Sequence, residues 1–229
     1  MKTYKEWLHE NTQQKKKLFV LVGPPSIGKS TWIKNTFPFF TKPYIINRDQ
    51  IVDDIADSLG LTYDDMFMYP PPNAQLGDFH PRYGEIIQSP SHMQRQPLSY
   101  SKILTGNFQI NSLLKNKISQ ATKQNKDIIV DMTNMTAHNR KNALQAIQGK
   151  ENEYEKIAVI FPFQGAEEHI KQVAKKRAEE IKSKGGSKNI PDHAFDDMFS
   201  KFQDVQPDEG FDRIMTQDNR ELIKQLAKE

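Results

Sequence analysis

A chain of 229 residues, with 36% hydrophobic and 27% charged residues, can bury a sizeable α/β core and is too balanced to be disordered or fibrous. It has no cysteine, which excludes disulfides, thiolate metal sites and cysteine nucleophiles and leaves oxygen or histidine to hold any metal. A net charge of +3 does not by itself call for a polyanionic partner, although Lys15-Lys16-Lys17, Arg140-Lys141, Lys175-Lys176-Arg177 and Lys182, Lys184 and Lys188 are local concentrations. Without an apolar run near the roughly 18 residues of a membrane helix, and with no signal-peptide core after Met1, a soluble, intracellular protein with no membrane partner is expected.

The chain reads as one domain, residues 1–229. After an amphipathic segment near Thr3–Gln14, Leu18-Phe19-Val20-Leu21-Val22 is continuously apolar and β-rich, as a strand buried on both faces should be. Similar runs recur at Tyr44-Ile45-Ile46, Ile128-Ile129-Val130 and Ile157–Phe161, with helix-compatible segments between them. That alternation predicts an α/β fold, a parallel sheet flanked by helices. Across residues 61–98 the pattern fails, because Pro70-Pro71-Pro72, Pro81, Pro90 and Pro97 forbid long regular elements; the aromatic and methionine residues there predict a partly packed insertion. Helical spacing returns over Tyr100–Lys123. Glu167–Lys182 is strongly charged and stops before Gly185-Gly186, which predicts a helical lid over about 167–190, and Pro191 opens another helix bearing Phe195, Met198, Phe199 and Phe202.

Gly23-Pro24-Pro25-Ser26-Ile27-Gly28-Lys29-Ser30 fits G-x-x-x-x-G-K-[ST] between a predicted strand and a segment able to start a helix. In such a P-loop the backbone N–H groups curl round the phosphates of ATP, Lys29 reaches toward the β- and γ-phosphates, and Ser30 holds Mg²⁺; Thr31 follows in the same nucleotide-binding stretch. Asn47-Arg48-Asp49 ends the next strand. Asp49 there is either an acid that takes a proton from an acceptor hydroxyl or the N-cap of a helix. Asp131, in Asp131-Met132-Thr133-Asn134, ends a third strand as a ligand of Mg²⁺ or its water, or as a turn residue. Arg177 either closes on the transferred phosphoryl group or is solvated. The six histidines show no metal-ligand pairing.

With Gly23–Trp32, the I-N-R-D strand end at 46–49, D-x-T-N at 131–134 followed by Arg140, Arg177, and then Ile190-Pro191, Met198, Phe202, Pro207 and Glu209-Gly210-Phe211 in order, the chain resembles the kinase module of the 5′-polynucleotide kinases, phage and animal. The resemblance implies an adenylate-kinase-like P-loop NTPase fold and transfer of the γ-phosphate of ATP to a 5′-OH end of DNA or RNA. It implies Asp49 as general base, Lys29 and Ser30 on phosphate and Mg²⁺ with Asp131 or Asp49 completing the metal site, and Arg177 on ATP. Arg48, Asp131, Asn134 and Arg140 fall to the acceptor strand. A separate ligase would be the expected partner, and a phage origin in a host cytoplasm fits. Val52 stands where the phage enzyme has an arginine for the acceptor phosphate, so Arg82, Arg95 or Lys102 would have to supply that grip.

The P-loop domain of ribonucleoprotein U is also similar, through D-x-T-N and 175–202, but lacks the aspartate found here as Asp49. A kinase of a small metabolite or nucleoside, a non-catalytic ATP-gated RNA-binding module and a kinase acting on a sugar nucleotide are the competing readings.

Overall fold

The computed structural model describes residues 15–37, 42–61, 63–67, 98–186 and 188–228. The opening segment near Thr3–Gln14, most of the proline-rich insertion, and Arg82 and Arg95 lie outside the described residues. In chain order the main elements are β1 (Lys16–Val22), α1 (Lys29–Thr36), β2 (Tyr44–Asn47), α2 (Arg48–Leu59), a 3₁₀ turn (Asp64–Phe67), α3 (Leu98–Gln120), β3 (Ile128–Asp131), α4 (Ala137–Leu144), β4 (Tyr154–Ile160), α5 (Glu167–Ser183), α6 (Asp192–Ser200), β5 (Arg213–Thr216) and α7 (Arg220–Lys228).

The strands form a parallel sheet in the order β2-β3-β1-β4-β5. Consecutive residues of β1 and β3, Leu18–Val22 and Ile128–Asp131, are all buried, because a central parallel strand covered on both faces has no solvent side. The chain fills one side of β1 with β3 and β2, and the other with β4 and β5. The carboxyl end of β1 is therefore the switch point, where open α/β sheets leave a crevice for a ligand. β5 is exposed at all four positions and carries no apolar run, so hydrophobic patterning misses it; it is defined by its pairing with β4. Trp32 of α1 meets Phe19, Phe37 and Phe161 edge-on at centroid distances of 5.8, 5.9 and 6.2 Å, which seats the helix after the glycine loop on the sheet.

By its internal packing the fold forms two compact units. The first comprises residues 1–47, 117–174 and 191–229 and holds the sheet; the second comprises 48–116 and 175–190. The second has its own apolar cluster of Ile51, Val52, Ile55, Ala56, Tyr63, Met66 and Ile110. At Gly106 of α3 a Cβ would overlap Met66 Cε, so any larger residue there requires the Met66 side chain to shift.

Expected helices over Tyr100–Lys123 and Glu167–Lys182 are found, but the expected lid helix is not wholly a surface element. Ile170, Lys171 and Val173 of α5 are buried in the first unit, where Lys171 pairs with Asp196 of α6 at 2.6 Å. Among the described residues no helix is long and apolar enough to cross a membrane.

Candidate nucleotide site and carboxylate cluster

In the first unit, the loop between β1 and α1 is a turn that few residues other than glycine allow. Gly23 has φ +157°, and a Cβ there would stand 3.0 Å from Phe161 Cβ and 3.2 Å from its carbonyl oxygen. Gly28 has φ +94°, and a Cβ would stand 2.8 Å from Asn219 Nδ2. Ser26 is left-handed at φ 63°, and loops with such positive-φ residues are the kind whose N–H groups can form a concave cradle for phosphate oxygens. Pro24 and Pro25 contribute no N–H, so the donors of this curl come from the residues around them.

Lys29 is the first residue of α1 and is buried. Its ammonium donates to the carbonyl oxygens of Gly23 at 2.8 Å and Pro24 at 2.7 Å. Ser30 and Thr31 follow on the exposed face of the first turn.

The end of β3 is laced to this loop. Gly23 N–H donates to Thr133 O at 2.9 Å, and the Asn134 side-chain amide donates to Leu21 O at 2.8 Å. Asn134 is buried with φ 48°, a left-handed conformation that asparagine tolerates better than most residues. Asparagine in D-x-T-N is thereby explained by backbone geometry. The substrate role expected for it gives way to a structural one, since its amide nitrogen is spent inside the sheet.

Arg140, expected on the acceptor strand, is likewise a structural residue. Its side chain is 0% exposed, and every guanidinium N–H has an acceptor: Nε and Nη2 hold the Glu209 carboxylate at 2.6 Å each, Nη1 donates to the carbonyls of Asn134 and Gln203, and Nη2 donates to that of Asp204. An arginine with its five donors engaged and no surface cannot bind an acceptor strand; it clamps the 203–209 segment to the loop after β3.

Asp131 closes β3, in register with Asn47 of β2, and its Oδ2 accepts from Asn47 Nδ2 at 2.9 Å. Asn47 is a positioning partner whose importance the motif hinted at only by proximity. Ser30 and Asp131, a hydroxyl and a carboxylate in one unit, are the hard oxygen donors that suit Mg²⁺. Among the described residues no cluster of three or more acidic, histidine or cysteine ligands exists.

Asn219, between β5 and α7, was invisible in the sequence, where Gln217–Arg220 is merely polar. Its Nδ2 donates to Ile27 O of the glycine loop at 3.0 Å, and Gln217 Nε2 donates to its Oδ1 at 3.1 Å. Replacing Gly28 by alanine therefore meets both a disallowed φ and the Asn219 amide. Strain of this kind costs about 1–3 kcal/mol. ATP affinity, followed by fluorescence titration, is expected to drop about tenfold or more in Gly28→Ala, with the far-UV circular dichroism unchanged.

In the second unit, Arg48 and Asp49 are the first residues of α2. Asp49 thus lies inside the first turn, where a carboxylate also complements the helix dipole, and does not flank the helix as a cap. Its side chain is half exposed. Tyr63 Oη donates to Asp49 Oδ1 at 3.2 Å, while Lys188 Nζ lies 3.5 Å from Asp49 Oδ2 and 3.5 Å from Asp53 Oδ2. Burial, then the adjacent Asp49 charge, pushes the Tyr63 hydroxyl well above its ordinary range, so it is a donor at neutral pH. Burial likewise raises the Asp53 carboxyl, against the opposing pull of Lys188. Val52 is fully buried in the apolar cluster and offers nothing to a phosphate. Arg177 is on the exposed face of α5.

A parallel sheet with a glycine loop at its switch point, closed by a lysine and a serine at the start of the next helix, defines a kinase-like P-loop domain. The chain belongs to the AAA domain family AAA_33, whose model matches residues 18–205. No curated protein matches it in sequence. A solved structure described as a candidate kinase from Chloroflexus aurantiacus J-10-fl is similar over 94% of either chain, at 10% identity and a TM-score of 0.46, too loose a likeness to bear on function.

Proposed function

We propose that the protein transfers the γ-phosphate of ATP to the 5′-hydroxyl end of DNA or RNA. The observation that carries this reading is Asp49, an exposed carboxylate in the first turn of the helix that directly follows β2, held by a tyrosine and a lysine. It stands at the base position of the I-N-R-D pattern, in a chain that also has the glycine loop and D-x-T-N.

In this mechanism the loop and Lys29 bind the ATP phosphates, and Ser30 and Asp131 would hold Mg²⁺, which when bound neutralises charge on the phosphates. Asp49 accepts the proton of the acceptor hydroxyl as its oxygen forms a bond to the γ-phosphorus, and the bond to the bridging oxygen breaks to release ADP. Arg177 supports the charge that spreads over the moving group. Asn134 and Arg140 take no part; Arg48, half-buried beside Asp49, is the remaining acceptor-side arginine among those the sequence singled out.

Transfer of γ-labelled phosphate to 5′-OH DNA and RNA oligonucleotides in the presence of Mg²⁺ tests the proposal. Label on the oligonucleotide is expected, reduced in Asp49→Asn by about 10²–10⁴, the usual worth of a general base. Tight ATP binding with no labelled oligonucleotide would refute it and direct attention to a small-molecule acceptor or to a binding module without turnover.

A further inference from the structure

The carboxylate cluster of the second unit contains two groups that the proposed reaction leaves without a role. Each oxygen of Asp49 has a different partner, Tyr63 Oη on Oδ1 and Lys188 Nζ near Oδ2. Lys188 belongs to one of the local concentrations of lysine in the sequence. In the fold its ammonium stands 4.3 Å from the centroid of the Tyr63 ring and between two carboxylates, with its side chain 26% exposed. A cation over an aromatic face and beside two anions is held by position as well as charge. The segment carrying it is fixed independently, since Asn189 N–H donates to Asp64 Oδ1 at 2.7 Å. Tyr63 is fixed by its ring, which is buried in the apolar cluster.

We propose that Lys188 and Tyr63 are positioning residues that orient the Asp49 carboxylate for proton abstraction, an inference that rests on the reading of Asp49 as the general base. Tyr63 sets one oxygen through a hydrogen bond from a buried ring. Lys188 sets the other and shares its charge with Asp53. Together they confine a side chain that, half exposed at a helix start, would otherwise sample several rotamers. The contacts come from the two stretches that flank long excursions of the chain: Tyr63 begins the proline-rich one, and Lys188 follows the charged helix. The base is therefore held by residues far from it in sequence, which is why the motif alone does not reveal them.

The test uses the full chain with Lys188→Met, Lys188→Arg and Tyr63→Phe, in steady-state transfer from ATP to a 5′-OH oligonucleotide. Loss of orientation is expected to lower kcat about ten- to a hundredfold in Lys188→Met and Tyr63→Phe, as misplacement of a reacting group does. KM for ATP should stay within about twofold, because the nucleotide is not held by these groups. Lys188→Arg should recover most of the loss. In an Asp49→Asn background neither substitution should cost anything more, since nothing remains to be oriented; a merely structural role would still lower kcat there. An unchanged kcat in both single variants, or an undiminished loss in the Asp49→Asn background, overturns the proposal.

Absence of transfer by the unsubstituted protein would count against the polynucleotide reading, and the contact is then decided separately by acylation of Lys188 Nζ, followed by mass spectrometry. An ammonium held between two carboxylates and over an aromatic ring is shielded from an acylating reagent. A several-fold faster acylation of Lys188 in Asp49→Asn sustains the positioning contact for whatever acceptor Asp49 serves, and an unchanged rate overturns it.

Discussion

Lys29→Ala is expected to lower phosphoryl transfer by about a hundred- to a thousandfold, the usual cost of removing one preorganised charge from a transferring group. The ammonium is poised but committed: it rests on the carbonyl oxygens of Gly23 and Pro24 at 2.8 and 2.7 Å. On the proposed reading, a bound nucleotide would offer Lys29 phosphate oxygens in place of those two neutral acceptors, and these are stronger partners because they carry charge. Alanine removes the charge from the site and also leaves both carbonyls without this donor, so ATP affinity should fall together with kcat. Lys29→Arg separates the two effects. It keeps a positive charge, yet its wider planar head does not fit a socket shaped by two backbone carbonyls, so transfer should remain low while part of the affinity returns. Filter binding of labelled ATP beside the transfer assay measures both. Full transfer in Lys29→Ala would remove the glycine loop from the chemistry.

Arg140→Met is expected to produce the largest stability loss among single substitutions in the first unit. The guanidinium is wholly buried, and its partners are a carboxylate that is 12% exposed and three backbone carbonyls. Breaking a buried pair by deleting one member typically costs about 3–5 kcal/mol, because the other is stranded without solvent. At about 2–4 °C per kcal/mol for a chain of this size, the thermal midpoint should fall by about 10 °C. The same pair gives stability a pH signature. Hydrogen bonds from Arg140, outweighing burial and aided by the Gln206 N–H, hold the Glu209 carboxyl below its ordinary value of 4.5. A carboxyl with a depressed folded-state pKa contributes stability that is complete above the unfolded value and is lost as pH falls through the lower, folded one. The midpoint of the unsubstituted protein should therefore decline from about pH 4.5 downward. In Arg140→Met, whose Glu209 has lost its counter-charge, that part of the decline should be missing. A calorimetric series from pH 7 to 3 reads both effects.

Much of the sheet was legible because parallel strands buried on both faces leave continuous apolar runs. Leu18–Val22, Tyr44–Ile46, Ile128–Val130 and Ile157–Phe161 all fall in or at the end of strands. β5 was not legible, since Arg213-Ile214-Met215-Thr216 is an exposed edge strand that has no reason to be apolar. The glycine loop was legible down to its glycines, because positive φ and crowding leave no other residue type. Asn134 and Arg140 fit the motif pattern, yet both are buried and bonded within the protein: side chains that knit a loop together recur as regularly in a motif as side chains that touch substrate, and only burial separates them. Tyr63, Lys188, Asn47 and Asn219 act across 14, 139, 84 and 192 residues of sequence on Asp49, Asp131 and Ile27. No local periodicity encodes such pairings.

The bond from Asn219 to the glycine loop bears on where this domain stops. The family match closes at residue 205, yet Glu209, which satisfies Arg140, the whole of β5, the Asn219 amide behind Gly28 and the fully buried Ile223 all come later. A fragment trimmed to the matched range would keep every residue of the phosphate-binding signature while exposing the flank of β4 and stranding a buried cation. The last two dozen residues thus buttress the glycine loop from behind, and the matched signature is shorter than the piece of chain that packs around it.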